Sequence, residues 1–325
     1  METKRYHSLR ALLCAVLAFP LLGMAVPTAF AFWGTHAEVL QPVSATGHAP
    51  IAADVTGETY SGVYVEVPLS ATDADGDAVI FKILESPRLG TAVVDGGTLQ
   101  YTPTEGKTGT DKFTYAAVDT LGNLSSPAQV KIKVQRNAAK LTYSDMSTDS
   151  AHYAALYLSE HGILTGEKIG ASYFFHPNDT VTRSEFIAMA TAIADLPVTP
   201  TMQTDFADDA GLSAWAKPYI SAAASTGLIS GYKTAAGVAE IRGESPITAA
   251  EASVIVGNLL TEDFSTPVTA AATENTSVPT WAAGATARLT AAKVLPSQMK
   301  TDPSSPITRK TACELLYHTL MLREA

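Results

Sequence analysis

Two hydrophobic periods divide the chain. Between residues 49 and 136 apolar residues recur at every second position. Val63, Val65 and Val67 alternate with Tyr64, Glu66 and Pro68, and Val79–Leu84, Ala92–Val94, Thr98–Tyr101, Phe113–Val118 and Val130–Val134 continue the pattern. A period of two predicts half-buried strands. Asp95-Gly96-Gly97, between two of them, predicts a hairpin turn. With a first strand near Ile51, about seven short strands predict an all-β antiparallel sandwich over 49–136.

From Leu141 the period lengthens to that of a helix. Ser150–Glu160, Ser213–Ser225 and Trp281–Ala292 read as helices, the first two stopped by Gly162 and Gly227. Each is followed by a loop and a second helix. These second helices open at Thr182-Arg183-Ser184-Glu185-Phe186, Thr248-Ala249-Ala250-Glu251-Ala252 and Thr308-Arg309-Lys310-Thr311-Ala312, at spacings of 66 and 60 residues. Apolar stripes follow in the same phase: Phe186, Met189, Ala190 and Ile193; Ala252, Ile255, Val256 and Leu259; Ala312, Leu315, Leu316 and Leu320. Recurrence at a near-fixed spacing predicts an internal repeat, here a helix–loop–helix unit three times over. The polar joint Asn137-Ala138-Ala139-Lys140 predicts that the two halves fold independently.

The helix starts also carry chemistry. Thr caps the first turn by accepting a backbone N–H, and the Glu three residues on returns the bond in the first two copies. Thr311 replaces that Glu in the third. Capping does not account for Arg183 and Arg309, because a cation in the first turn faces the positive end of the helix dipole. Either these side chains are merely solvated, or they are turned to a ligand. A guanidinium beside free N–H groups suits a carboxylate.

Charge and targeting narrow the partners. The formal net charge is −10 with no basic run, which argues against nucleic acid and against broad binding to anionic membranes. Lys4, Arg5 and Arg10 precede an apolar run from Ala11 to Val26 and a small-x-small site at Ala29-Phe30-Ala31, which predicts a signal peptide over 1–31. Pro20 and Pro27 interrupt the run and favour cleavage over an anchor. Residues 32–48 read as a linker. Of the 2 cysteines, Cys14 falls in the leader and Cys313 on a helix stripe, so no internal disulfide is expected. Asp73, Asp75 and Asp77 place oxygens at alternating positions suited to Ca²⁺. Leu84 occupies the twelfth position, where an EF-hand needs Glu, so an acidic turn and a non-EF-hand calcium site both stay open.

Ala71-Thr72-Asp73-Ala74-Asp75-Gly76-Asp77, Gly90-Thr91-Ala92, Tyr101-Thr102-Pro103 and Gly109-Thr110-Asp111-Lys112-Phe113-Thr114-Tyr115 together resemble bacterial cadherin-like and immunoglobulin-like surface modules. Such modules act as spacers or adhesive stalks, some with calcium. In the helical half, Tyr143-Ser144-Asp145, Gly162-Ile163-Leu164-Thr165-Gly166 and Phe175-His176-Pro177-Asn178 precede the first Thr-Arg start. Phe206-Ala207-Asp208, Trp215-Ala216 and Gly227-Leu228-Ile229-Ser230-Gly231-Tyr232 precede the second, and Trp281-Ala282 and Pro306-Ile307 the third. The series resembles three S-layer homology (SLH) repeats, over 141–198, 203–262 and 270–325.

That resemblance implies a pseudo-threefold bundle. It implies non-covalent binding of secondary cell-wall polysaccharide or another peptidoglycan-linked glycan, often bearing a pyruvate ketal carboxylate, in grooves between repeats. The implied glycan-binding residues are Arg183, Arg309, Thr182, Thr308, Asp145, Asp208, Trp215, Trp281, Gly166 and Gly231. Several positions depart from the family pattern: Ser150 stands for Trp, Ala249 for Arg and Lys293 for Gly, so at most two grooves keep an arginine clamp.

No Gly-x-Ser-x-Gly elbow, His-Glu-x-x-His pair or phosphate loop occurs. The histidines have no metal spacing, and His152 and His161 read as solvated or half-buried. The expectation is therefore a non-catalytic, exported protein of the bacterial surface, anchored to the wall by its helical half and displaying the sandwich. It could also self-associate in a surface layer. The alternative is an exported carbohydrate-active enzyme or adhesin with a repurposed module.

Overall fold

The computed structural model describes residues 47–138, 140–260 and 277–324. The leader and nearly all of the linker lie outside them.

Alternating burial builds the first half. Its strands are β1 (Ile51–Ala52), β2 (Val55–Tyr60), β3 (Val65–Pro68), β4 (Ala71–Thr72), β5 (Ile80–Ile83), β6 (Gly90–Asp95), β7 (Thr98–Pro103), β8 (Gly109–Val118) and β9 (Ala128–Gln135). They form a four-stranded sheet ordered β2-β9-β8-β5, a three-stranded sheet ordered β3-β7-β6, and a short β1-β4 pair. Between the sheets lie Val65, Val67, Leu99, Tyr101, Phe113, Tyr115, Val130 and Ile132, the inward set of the alternation. The hairpin falls where Asp95-Gly96-Gly97 placed it, with Gly96 left-handed at φ 56°. Asp111 is buried, and its carboxylate accepts from the backbone N–H groups of Arg88 and Leu89 and from the Tyr101 hydroxyl.

One expectation needs correction. The sandwich is not wholly antiparallel: β2 runs parallel to β9, from Val55 beside Val130 to Tyr60 beside Gln135. A parallel pair needs a long crossover, and here the intervening strands supply it. Alternation reports which face is buried and says nothing of strand direction.

The second half contains α1 (His152–Glu160), β10 (Glu167–Ile169), β11 (Ser172–Phe174), α2 (Arg183–Ile193), α3 (Lys217–Ser225), β12 (Tyr232–Lys233), β13 (Ala239–Glu240), α4 (Ala249–Leu259), α5 (Thr280–Ala291), α6 (Ser297–Thr301) and α7 (Arg309–Glu324). The small hairpins β10-β11 and β12-β13, and α6 in the third unit, fill the expected loops. Elements of two to five residues are too short to leave a period in the sequence. The stripes of α2, α4 and α7 are buried as read, Leu320 being the most exposed at 9%.

Pairing runs between units: α2 lies on α3, α4 on α5, and α7 on α1. The loops before the second helices also meet one another. Val181 N–H donates to Ile307 O, Ile307 N–H to Ile247 O, and Ile247 N–H to Val181 O, closing a ring of three.

The two halves are not separate bodies across a polar joint. Tyr60 and Val63, from the sandwich, are buried in the helical core. Tyr60 lies 4.9 Å from the Tyr153 ring, and its hydroxyl donates to Glu160 Oε2 at 2.5 Å. His152 is also buried rather than solvated, at 4% exposure, with Nε2 accepting the Tyr143 N–H, and burial lowers its pKa. Cys313 is a buried free thiol, as its place on the stripe implied. Among the described residues no helix is long and apolar enough to cross a membrane.

Candidate functional site

The capping boxes form as read. Thr182 accepts the Glu185 N–H, and Glu185 Oε2 accepts the Thr182 N–H at 2.7 Å; Thr248 and Glu251 repeat the arrangement. In the third copy Thr308 accepts the Thr311 N–H, and the two hydroxyls lie 3.1 Å apart. The remaining first-turn amides are not free for a ligand, and here the sequence expectation is overturned. Arg183 N–H donates to Ser245 O and Ser184 N–H to Gly243 O. Ala249 and Ala250 donate to Ser305 and Pro303, and Arg309 and Lys310 to Asp179 and Pro177. Each helix start is closed by the loop of the next unit, a long-range exchange with no local signature.

The two arginines therefore act through their side chains alone, and they differ. Arg309 donates from Nε to Phe175 O at 2.8 Å and from an Nη to Thr165 O at 2.9 Å, with its guanidinium 5.0 Å from the Phe175 ring centre. Arg183 is 8% exposed. Its guanidinium lies 4.7 Å from the centre of the Tyr232 ring and 3.7 Å from Glu251 Oε2, and its Nε–H makes no hydrogen bond. Burial lowers its pKa, and Glu251 opposes that shift.

Four implied site residues act as internal braces. Asp145 accepts the Phe175 and His176 N–H groups, and Asp208 accepts those of Ile241 and Arg242 at the equivalent place. A Cβ on Gly166 would run into the Tyr143 ring and the Phe174 carbonyl. Gly231 is left-handed, φ 70°, and a Cβ there would lie 2.8 Å from Glu240 O and from the Phe206 ring. The aromatic-x-Asp opening is thus tied to the glycine turn and the following loop in the first two units.

Arg183, Gly231 and Trp281 come together in one groove of about 430 Å³. Trp281 stands 58% exposed at its edge. Tyr232, Lys233 and Glu251 also line it, and none was singled out from sequence as a site residue. The available signals were indirect: Tyr232 follows the turn glycine, and Glu251 was visible only as a cap. Glu251 also accepts the Tyr232 hydroxyl, which fixes the ring beneath Arg183. Trp215 is 51% exposed just before α3, with its ring 6.4 Å from that of Tyr219.

In the sandwich, one oxygen from each of Asp73, Asp75 and Asp77 lies within 4.8 Å of the others. Asp73 Oδ1 accepts the Asp75 and Asp77 N–H groups, and Asp75 binds the His48 N–H and Nδ1. Asp73 Oδ2 is covered and makes no hydrogen bond.

Comparison with known proteins finds two family matches: a bacterial cadherin-like domain over residues 42–136 and an S-layer homology domain over residues 205–235. No curated protein matches the chain. Among solved structures, an endo-fucoidan hydrolase from glycoside hydrolase family 107 is 20% identical, with a TM-score of 0.23, over 28% of this chain and 14% of its own. The SrpA adhesin from Streptococcus sanguinis is 19% identical, with a TM-score of 0.22, over 30% and 63%. A titin domain is 13% identical, with a TM-score of 0.19, over 27% and 98%. The chain thus spans a small fraction of the hydrolase and most of the single titin domain. What it carries is a bacterial cadherin-like domain followed by an S-layer homology domain, the make-up of a cell-surface protein anchored to the cell wall.

Proposed function

We propose that the helical half is a pseudo-threefold bundle of three SLH repeats that holds the protein non-covalently to an acidic secondary wall polysaccharide, without catalysis, and carries the sandwich as a spacer or adhesion module. The ring of exchanges between the three helix starts supports the threefold reading. The observation that carries the binding reading is Arg183: a buried guanidinium with an unpartnered Nε–H at a groove bounded by an exposed indole. Glu251 neutralises it without satisfying its donors, since the Glu251 oxygens also serve the Tyr232 hydroxyl and the Thr248 cap. A ligand carboxylate would complete the donor set, and Lys233 adds a second cation at the rim. The exposed face of Trp281 suits the apolar face of a sugar ring, while the Tyr232 ring is already engaged by the guanidinium groups of Arg183 and Arg242, at 4.7 and 4.6 Å.

The test is co-sedimentation of the exported chain with purified sacculi, with and without removal of the secondary polymer. Binding should require the polymer and should fall sharply in Arg183→Ala. Binding to stripped sacculi at full strength would refute the reading. Release of reducing ends from wall glycan by the unaltered chain would favour the enzyme alternative instead.

A calcium ion at Asp73, Asp75 and Asp77 is a second proposal, for the sandwich alone. The covered, unpartnered Asp73 Oδ2 supports it, and these carboxylates could each give an oxygen to a hard cation. A melting temperature unmoved by chelator would retire it in favour of the turn that Asp73 already makes.

A further inference from the structure

Motif losses from the first and third units converge in space. Ser150 belongs to the first unit, Ala249 to the second, and Lys293 and Ser297 to the third. Ser150, Lys293 and Ser297 occupy the positions held elsewhere by the exposed Trp and the two turn glycines. The exchange of helices, with α7 on α1, brings Ser150, Lys293 and Ser297 to a single groove, while Ala249 is buried where the third unit's loop closes the α4 start. Lys293 keeps the left-handed backbone of the glycine it replaces, φ 60° against 69° at Gly162 and 79° at Gly227. The turn at Lys293 thus has the left-handed backbone of the other two units without their glycine.

This same groove is the one roofed by the sandwich. Ser150, Lys293 and Ser297 line a cavity of about 690 Å³ whose other wall is β2 and β3. Its charged groups are largely acidic, with Glu58 and Glu66 from the sandwich and Glu314 from α7 facing Lys293. Beside it the Tyr60 ring lies against Tyr153, which meets Tyr317 edge-on at 5.8 Å, and Gln135 Nε2 donates to the Tyr153 hydroxyl.

We propose that the third groove is the seat of the β-sandwich rather than a wall-polymer site, so that the sandwich is held at a fixed angle to the bundle while the Arg183 groove is left to the wall. The proposal rests on the wall-binding reading for the role of that groove, but not for the seat itself. Independent loss of function would leave gaps in all three grooves. Loss confined to the covered one fits release from ligand binding followed by use as an internal interface.

Spin labels at Thr91→Cys and Ser225→Cys, exposed positions on β6 and α3, test the seat in the exported chain; Cys313 is fully buried and will not label. Pulsed dipolar spectroscopy should give one narrow distance that solubilised wall polysaccharide leaves unchanged. Tyr60→Ala should broaden it. Should that variant fail to fold by circular dichroism, Ser150→Trp, which crowds the seat from the bundle side, serves instead. A broad distribution in the unsubstituted background, or broadening on addition of polysaccharide, overturns the proposal. Failure of the chain to bind sacculi while the distance stays narrow would sink the wall reading and leave the seat standing.

Discussion

Arg183 and Arg309 begin equivalent helices from the same Thr-Arg pair, yet their surroundings give them different work. Arg309 is bonded to two carbonyls of the first unit. Arg183 meets Tyr232 and a distant Glu251 and keeps an unpartnered donor. The motif sets where the guanidinium stands, and the neighbouring unit decides whether it is available to a ligand. Tyr232 follows the turn glycine in one unit and Glu167 in the other, and that exchange of an aromatic face for an acid accompanies the difference.

The glycines should separate the two grooves most strongly. Gly166→Ala places a methyl group against the Phe174 carbonyl, which belongs to backbone and cannot turn away. It should cost about 3 kcal/mol or more of unfolding free energy, at the upper end for overpacking. Gly231→Ala adds left-handed strain to contacts of 2.8 Å with the Glu240 carbonyl and the Phe206 ring, looser than the approach to the carbonyl at Gly166, and should cost about 2 kcal/mol. Urea titration of each variant orders them, and a larger cost at Gly231 would mean that the first turn is the more yielding.

The arginines come next and should split between readouts. Arg183→Ala should weaken sacculus binding by about 1.5–3 kcal/mol, the worth of a charge-assisted pair, with little change in melting. Arg309→Ala should instead lower stability by a similar amount, roughly 1.5–3 kcal/mol, since it removes two charge-assisted bonds to carbonyls. Equal effects of the two on binding would mean that both guanidinium groups meet the ligand.

Much of this was legible in the sequence. Period two marked the sandwich strands, and the caps and stripes marked all three second helices, because both signals are local. The parallel β2–β9 pair, the closure of each helix start by the next unit's loop, and the burial of Tyr60 in the helical core were not legible, because they join residues far apart in sequence. The candidate site divided in the same way. Arg183 and Trp281 were visible as local oddities, while Asp145 and Asp208 looked ligand-facing until the backbone amides they accept came into view. The convergence of Ser150, Lys293 and Ser297 needed the helix exchange to be known.

A smaller effect separates α7 from α2 and α4. Glu314 stands where Val254 stands in α4, and burial raises its pKa to about 7 from 4.5. Between those values the native chain holds a proton that the unfolded chain has released, so stability should fall as pH rises from about 4.5 to about 7 and then level off. Part of the group is wet, so the loss is roughly 1–2 kcal/mol rather than the full shift. His318, whose pKa burial lowers, works in the opposite direction below its ordinary value. Melting temperature against pH should therefore be compared with that of Glu314→Gln, in which the decline should vanish and the histidine rise remain.

The smallest contrast lies in the caps. Thr182 exchanges bonds with Glu185, so its hydroxyl holds one amide while the returning carboxylate holds another. Thr308 has no returning carboxylate: its hydroxyl holds the Thr311 N–H and shares one bond with the Thr311 hydroxyl. Thr182→Ala should cost about 1 kcal/mol, because the lost hydroxyl also donates to Glu185 at 2.9 Å and steadies the returning bond. Thr308→Ala should cost about 0.5 kcal/mol, the low end for a cap. Glu185→Gln keeps the box geometry but removes the charge beside the helix start, so it should lose only the dipole contribution, about 0.3 kcal/mol, and more at low salt than at high. Unfolding free energies at two salt concentrations measure all three. If Thr308→Ala proves as costly as Thr182→Ala, reciprocity adds nothing, and the third unit's missing Glu is a neutral departure rather than a weaker cap.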